Sequence, residues 1–203
     1  MLRRAIYGLV AAALSGAAHA DTIDTSGMQP HERCASCHGL DGNSPVPRFP
    51  RLAGQSAAYL KKQLADYRAG RRTNDEGAMS GIAYSLSDAE SEEVVRHFAT
   101  QVPRAMSGDL EGNAANVALG RRIYMKGRPG VAACASCHGA AARSVVGAPR
   151  IDGQHAGYLQ RQLLDFKRGA RRNDPDRVMY RVASALQDGE IRALAAFASN
   201  LSQ

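Results

Sequence analysis

The sequence predicts an all-α chain built from two tandem domains, and three observations carry that expectation. The chain matches itself at a period of about one hundred residues: PRLAGQSAAYLKKQLADYRAGRRTND from Pro50 corresponds to PRIDGQHAGYLQRQLLDFKRGARRND from Pro149. A period that long, in two copies, means paired domains rather than a solenoid. Apolar residues recur at three- and four-residue steps in both copies, as Tyr59, Leu60, Leu64 and Tyr67 and as Tyr158, Leu159, Leu163 and Phe166, which is the spacing of a helix with one apolar stripe. No alternating run of useful strand length occurs.

The elements follow in order. The chain opens with Arg3 and Arg4, an apolar run from Ala5 to Leu14, and Ala18-His19-Ala20 ahead of Asp21. That core is too short to span a bilayer and the small residues suit a cleavage site, so residues 1–20 read as an export signal. No later stretch is apolar and long enough to cross a membrane, so the mature chain is expected to be soluble outside the cytoplasm. The first domain is assigned to residues 21–105 and the second to residues 106–203, with the polar segment Val102 to Ala118 as linker. In the first domain a further helix starts at Ser87, where SDAE offers a capping box with Glu90, and Val94, Val95 and Phe98 form its buried face. Its counterpart carries Ile191, Leu194 and Phe197.

Before Cys134 stands the helix-like NVALGRRIYMKG, in which Gly120 and Tyr124 are spaced to cross the C-terminal helix near Leu194 and Phe197. Before Cys34 stands only SGMQPHER, with Pro30 and no aromatic, so the first domain's opening helix is expected to be short or irregular.

The formal charge is +7, from 26 Lys and Arg against 19 Asp and Glu. It is unevenly placed: residues 21–107 hold 10 basic and 11 acidic side chains, residues 108–203 hold 14 and 8. The basic second domain is expected to dock an acidic partner or an anionic membrane surface. The arginines are not interleaved with an aromatic stacking surface, which argues against nucleic acid as a partner.

All four cysteines fall in two identical pentapeptides, Cys34-Ala35-Ser36-Cys37-His38 and Cys134-Ala135-Ser136-Cys137-His138. Residues i and i+3 of a helical turn lie side by side, so Cys34 with Cys37, and Cys134 with Cys137, can each form thioethers to the two vinyl groups of one haem. His38 and His138 then become the proximal iron ligands. Thioredoxin-like chemistry would need a βαβ setting, and a zinc site would bring its cysteine pairs closer in sequence. The expected cofactors are therefore two haem c groups. Met79 and Met179 each follow the haem histidine by 41 residues and are the methionines that match between the copies, which makes them candidate sixth ligands. Histidine–methionine ligation suits electron transfer and suits oxygen or peroxide binding poorly. His31, His97 and His155 read as surface or core residues.

CHGLDG, the Pro-Arg-Leu/Ile-x-Gly-Gln-x-x-x-Tyr-Leu run and a methionine ahead of an Ile/Val-Ala-x-x-Leu helix lead-in together resemble the dihaem cytochrome c4 family, two tandem class I cytochrome c domains, over nearly all of residues 27 to 203. The resemblance implies that the carbonyls of Pro50 and Pro149 accept hydrogen bonds from His38 and His138. It also places Gln55, Tyr59, Gln154 and Tyr158 around the haems, near their propionates. Arg72, Arg171, Asn74 and Asn173 brace the ligand loops or are ordinary solvated groups. The implied function is a periplasmic, monomeric carrier taking single electrons from a quinol-oxidising complex to a terminal oxidase, with no substrate turnover of its own. The alternative is the dihaem subunit of a periplasmic dehydrogenase of the flavoprotein sulfide type.

Overall fold

In the computed structural model, residues 27–105, 113–143 and 147–201 are described; the expected export signal lies outside them. Among the described residues the regular structure is helical, apart from a single isolated bridge between Arg128 and Val131. The first domain contains α1 (Glu32–His38), α2 (Ala57–Arg68), α3 (Ala78–Ser85) and α4 (Asp88–Thr100). The second contains α5 (Ala114–Lys126), α6 (Ala135–His138), α7 (Ala156–Arg168), a 3-10 turn at Pro175–Arg177, α8 (Val178–Ala185) and α9 (Asp188–Ser199).

Caps set where the helices begin. Ser87 accepts from the Glu90 N–H, and Glu90 accepts in return from the Ser87 N–H at 2.7 Å, which is the expected capping box of α4. Glu90 also pairs with Arg33, so α4 is tied to α1. The segment expected as linker ends sooner than Ala118, because Asn113 accepts from the Asn116 N–H at 2.9 Å and starts α5 at Ala114. Val117 and Leu119 then pack on the second core, which polarity alone did not reveal.

Each domain has its own core. In the first, Cys34, Leu60, Val94, Val95 and Phe98 cluster between α1, α2 and α4. In the second, Ile123 and Tyr124 of α5 meet Ile191, Leu194 and Phe197 of α9. That crossing depends on Gly120: a Cβ there would lie 2.0 Å from the Ala193 carbonyl oxygen. The Tyr124 and Phe197 rings pack with centroids 5.3 Å apart. Among the described residues the first domain has no helix equivalent to α5.

Helices α2 and α7 carry a polar stripe beside the apolar one. Leu60 is buried in the first core and Tyr67 is buried under Arg72, while Tyr59, Gln63 and Asp66 turn to the other domain; Tyr158, Gln162 and Asp165 do the same from α7. The domains meet in reciprocal pairs. Gln154 accepts from the Arg51 N–H and donates to the Arg51 carbonyl, both at 2.9 Å. Gln55 treats Arg150 in the same way, at 3.0 and 2.9 Å. His155 Nε2 lies 2.9 Å from the Ser44 carbonyl, and Ser56 stands at the position equivalent to His155 in the first domain.

Two outcomes test this account. Gly120→Ala should lower the unfolding free energy by about 1–3 kcal/mol, measured by denaturant titration, because the helices must separate. The Glu90 carboxyl is held down to about 2 by its bonds to Ser87 and by Arg33. A depressed native pKa gives stability that is present above the ordinary glutamate range and lost as pH falls toward about 2. Glu90→Gln should therefore flatten the acid limb of a stability–pH curve in that window and leave its slope near neutrality unchanged.

Candidate haem sites

Each pentapeptide forms one short helical turn. Cys34 and Cys37 lie one turn apart on α1, Cys134 caps α6 with Cys137 inside it, and none of the four is in a disulfide. Burial pushes the Cys34 and Cys134 thiols up to about 11. Thiol–disulfide exchange needs the opposite, a thiol lowered toward neutrality. Among the described residues no three His, Cys, Asp or Glu side chains converge as a metal site, so the cysteine pairs do not combine into a zinc centre.

His38 and His138 are 5% and 7% exposed. The His38 Nδ1 lies 2.8 Å from the Pro50 carbonyl, and the His138 Nδ1 lies 2.9 Å from that of Pro149. A carbonyl only accepts, so each ring carries its proton on Nδ1 and keeps the Nε2 lone pair for a metal. Burial holds both imidazoles below the ordinary histidine range, with the hydrogen bond opposing it in part. Neutral imidazole is the form that ligates.

The loop after each histidine is anchored differently. Tyr124 donates to the Gly139 carbonyl at 2.7 Å. In the first domain His97 Nε2 lies 2.8 Å from the Leu40 carbonyl and its ring stacks on His31 at 3.7 Å, while Ser44 donates to the Cys37 carbonyl at 2.7 Å. His97 of α4, stacked on His31 ahead of α1, thus anchors this loop where no tyrosine-bearing helix is present among the described residues.

Met79 and Met179 stand at the second position of α3 and α8, both half-buried. Strained backbone precedes each one: Glu76 has φ 56°, and Asp176 and Arg177 have φ 52° and 54°. Left-handed non-glycine residues cost about 1–3 kcal/mol each and persist where the surroundings fix them. Asp75 accepts from the Ser80 N–H at 2.8 Å and Asp174 from the Tyr180 N–H at 3.1 Å, which pins both turns.

Gln55 and Gln154 spend their amides on the opposite domain's backbone. Tyr59 accepts from Arg171 at 3.0 Å, and Tyr158 from Arg72 at 3.1 Å. Arg72 and Arg171 are 4% and 5% exposed, neither solvated nor confined to their own loops, and this central role was missed in the sequence. Arg72 bonds Gln63, Gln162, Asn74 and Tyr158; Arg171 bonds Gln162, Gln63, Asn173 and Tyr59.

These features fit covalent haem. Each domain offers two thiols outside any disulfide, one helical turn apart, and a neutral imidazole whose Nε2 has no hydrogen bond among the described residues. At the boundary the two buried guanidinium groups have, among the described residues, only neutral hydrogen-bond partners.

The family model for cytochrome c matches the chain twice, over residues 25–100 and 117–202. The chain is 37% identical to cytochrome c4 of Pseudomonas aeruginosa, across 95% of this chain and 96% of that protein. It is 36% identical to the thiosulfate dehydrogenase electron acceptor of Stutzerimonas stutzeri, across 84% of this chain and 79% of that protein. The crystal structure of reduced cytochrome c4 from Pseudomonas stutzeri matches with a TM-score of 0.74 at 35% identity, covering 83% of this chain and 93% of that one. Two haem-attachment turns in two paired helical domains, with these likenesses, place the chain in the cytochrome c family as a dihaem member of the cytochrome c4 group, with two covalently bound haem c groups.

Proposed function

We propose that this electron-transfer protein is a monomeric periplasmic carrier that takes single electrons from a quinol-oxidising complex and gives them to a terminal oxidase, turning over no substrate itself. The observation that carries the reading is the pair of proline-bonded haem histidines, one in each of two domains joined by a single buried interface. In this reading Cys34 and Cys37 hold the first haem and His38 and Met79 its iron; Cys134, Cys137, His138 and Met179 do the same in the second. Iron held by a histidine and a methionine would supply outer-sphere electron transfer at a raised potential.

The chain's own residues keep that chemistry specific. The Pro50 and Pro149 carbonyls fix each imidazole's tautomer and ring plane. Asp75 and Asp174 hold the turns that deliver the methionines. In this reading Gln55, Gln154, Tyr59 and Tyr158 stand near the haems, the glutamines held on the Arg150 and Arg51 backbones and the tyrosines on Arg171 and Arg72. The domains are taken as residues 21–105 and 106–203.

On the second domain Arg121, Arg122 and Lys126 lie along the exposed face of α5 and form no ion pair among the described residues, which favours docking to an acidic partner or an anionic membrane surface. No described helix is long and apolar enough to cross a membrane. A second reading, acceptance of electrons from a periplasmic dehydrogenase of sulfur compounds, is favoured by the similarity to a thiosulfate dehydrogenase electron acceptor.

In the oxidised holo-protein, Met79→Ala and Met179→Ala should each remove about half of the far-red methionine–iron absorption and lower the potential of one haem, read by spectroelectrochemical titration. Loss of none of that absorption would remove the methionine assignment. Host membranes should oxidise the reduced protein, with a rate that falls as salt rises and falls less steeply once Arg121, Arg122 and Lys126 are neutralised. Reduction by a sulfur-compound dehydrogenase, without oxidation by membranes, would favour the second reading.

A further inference from the structure

The segment that leads into each methionine is held by the other domain. Asn74, five residues before Met79, donates its amide to Asp165 at 2.7 Å and Gln162 at 3.1 Å, both on α7. Asn173, six residues before Met179, donates to Asp66 at 2.7 Å and Gln63 at 3.0 Å, both on α2. Lys62 also reaches the Asn173 carbonyl at 2.5 Å. Among the described residues, both acceptors of each asparagine amide lie across the domain boundary. The asparagine's own arginine, Arg72 or Arg171, donates to its side-chain oxygen at 3.0 Å and so locks it to the crossed glutamines.

We propose that Asp165 and Asp66 are positioning residues in trans, each fixing the turn that carries the methionine of the opposite domain and so setting how firmly that methionine stays on its iron. The inference rests on Met79 and Met179 being axial ligands. The turns contain positive-φ residues that would relax if released, and only a few residues separate each asparagine from its methionine. The bond to a carboxylate is also the strong kind. Burial alone would raise the Asp66 carboxyl, but bonds from Lys62, Asn173 and Arg71 outweigh it and keep that carboxyl low, hence ionised.

The two clamps are unequal. Asp66 also pairs with Lys62 and Arg71. At the positions equivalent to these, Arg161 turns to the Arg48 carbonyl at 2.8 Å and Ala170 has no charge. Among the described residues the Asp165 carboxylate is bonded to Asn74 alone, so Met79 is held by the simpler clamp, and Asp165 gives the cleaner test.

The experiment is an imidazole titration of the oxidised holo-protein, since imidazole competes with methionine for iron. Each haem is followed by the NMR resonance of its methionine methyl group, assigned with Met79→Ala and Met179→Ala. Asp165→Ala should raise the apparent imidazole affinity of the first-domain haem about tenfold and leave the second unchanged. Asp66→Ala should do the converse. The exchange Asn74→Asp with Asp165→Asn restores a bond between the two positions and should recover part of the loss. Were Asp165→Ala to unfold the protein, Asp165→Asn, which keeps the shape and removes the charge, should shift the same haem in the same direction. A change confined to the mutated residue's own domain, an equal change at both haems, or no change would overturn the proposal. If Met79→Ala and Met179→Ala leave both methyl resonances in place, the ligand assignment falls instead.

Discussion

Two buried positive charges organise this molecule. Arg72 and Arg171 sit at the domain boundary, and both bond the same two oxygens, the amide oxygens of Gln63 and Gln162, at 2.8 to 3.1 Å. Each also lies over an aromatic ring of its own domain, Tyr67 at 4.6 Å and Phe166 at 4.5 Å. Burying a charge costs several kcal/mol unless its donors are satisfied. Glutamine, asparagine and tyrosine oxygens supply that satisfaction, and half of them come from the opposite domain. Burial would raise the Tyr59 phenol, but Arg171 and Arg72 beside it prevail and hold it below the ordinary tyrosine range. Separating the domains would strand both guanidinium groups among too few acceptors, so the interface behaves as a shared polar core.

That core reaches the haem sites through two connections in each domain. Just before α2 and α7, the Pro50 and Pro149 carbonyls that orient the haem histidines are followed at once by Arg51 and Arg150, whose backbones pair with the crossed glutamines. After the same helices, the arginine and asparagine of each interface run directly into a methionine turn. Both expected ligands of an iron are therefore attached to segments whose hydrogen bonds cross the boundary. The domains still differ where they do not face each other. The second closes its core with α5 crossed on α9 through Gly120, whereas the first relies on the Arg33–Glu90 pair and the stacked His31 and His97.

Much of this could be read from the residues. The haem turns, the capping box at Ser87 and the Gly120–Tyr124 crossing each follow from local spacing, because the physics that fixes them acts within one helix or between two apolar stripes. The interface could not be read in the same way. Tyr59 and Tyr158 fell on apolar stripes and were expected in helix cores or near haem, yet a phenol needs a partner when buried and found it in an arginine across the boundary. Arg72 and Asn74 looked like either loop braces or solvated groups, since a sequence does not say which polar residues a second domain will cover. The available signal was the repetition itself. Tyr, Gln and Asp recur at positions 59, 63 and 66 and at 158, 162 and 165, a polar stripe at helical spacing kept in both copies.

The central claim is that a shared polar core makes one cooperative unit of two haem domains. Differential scanning calorimetry of the oxidised holo-protein tests it most directly. One transition is expected, with equal calorimetric and van't Hoff enthalpies. Two resolved transitions, or a calorimetric enthalpy about twice the van't Hoff value, would show that the domains unfold independently and would contradict it.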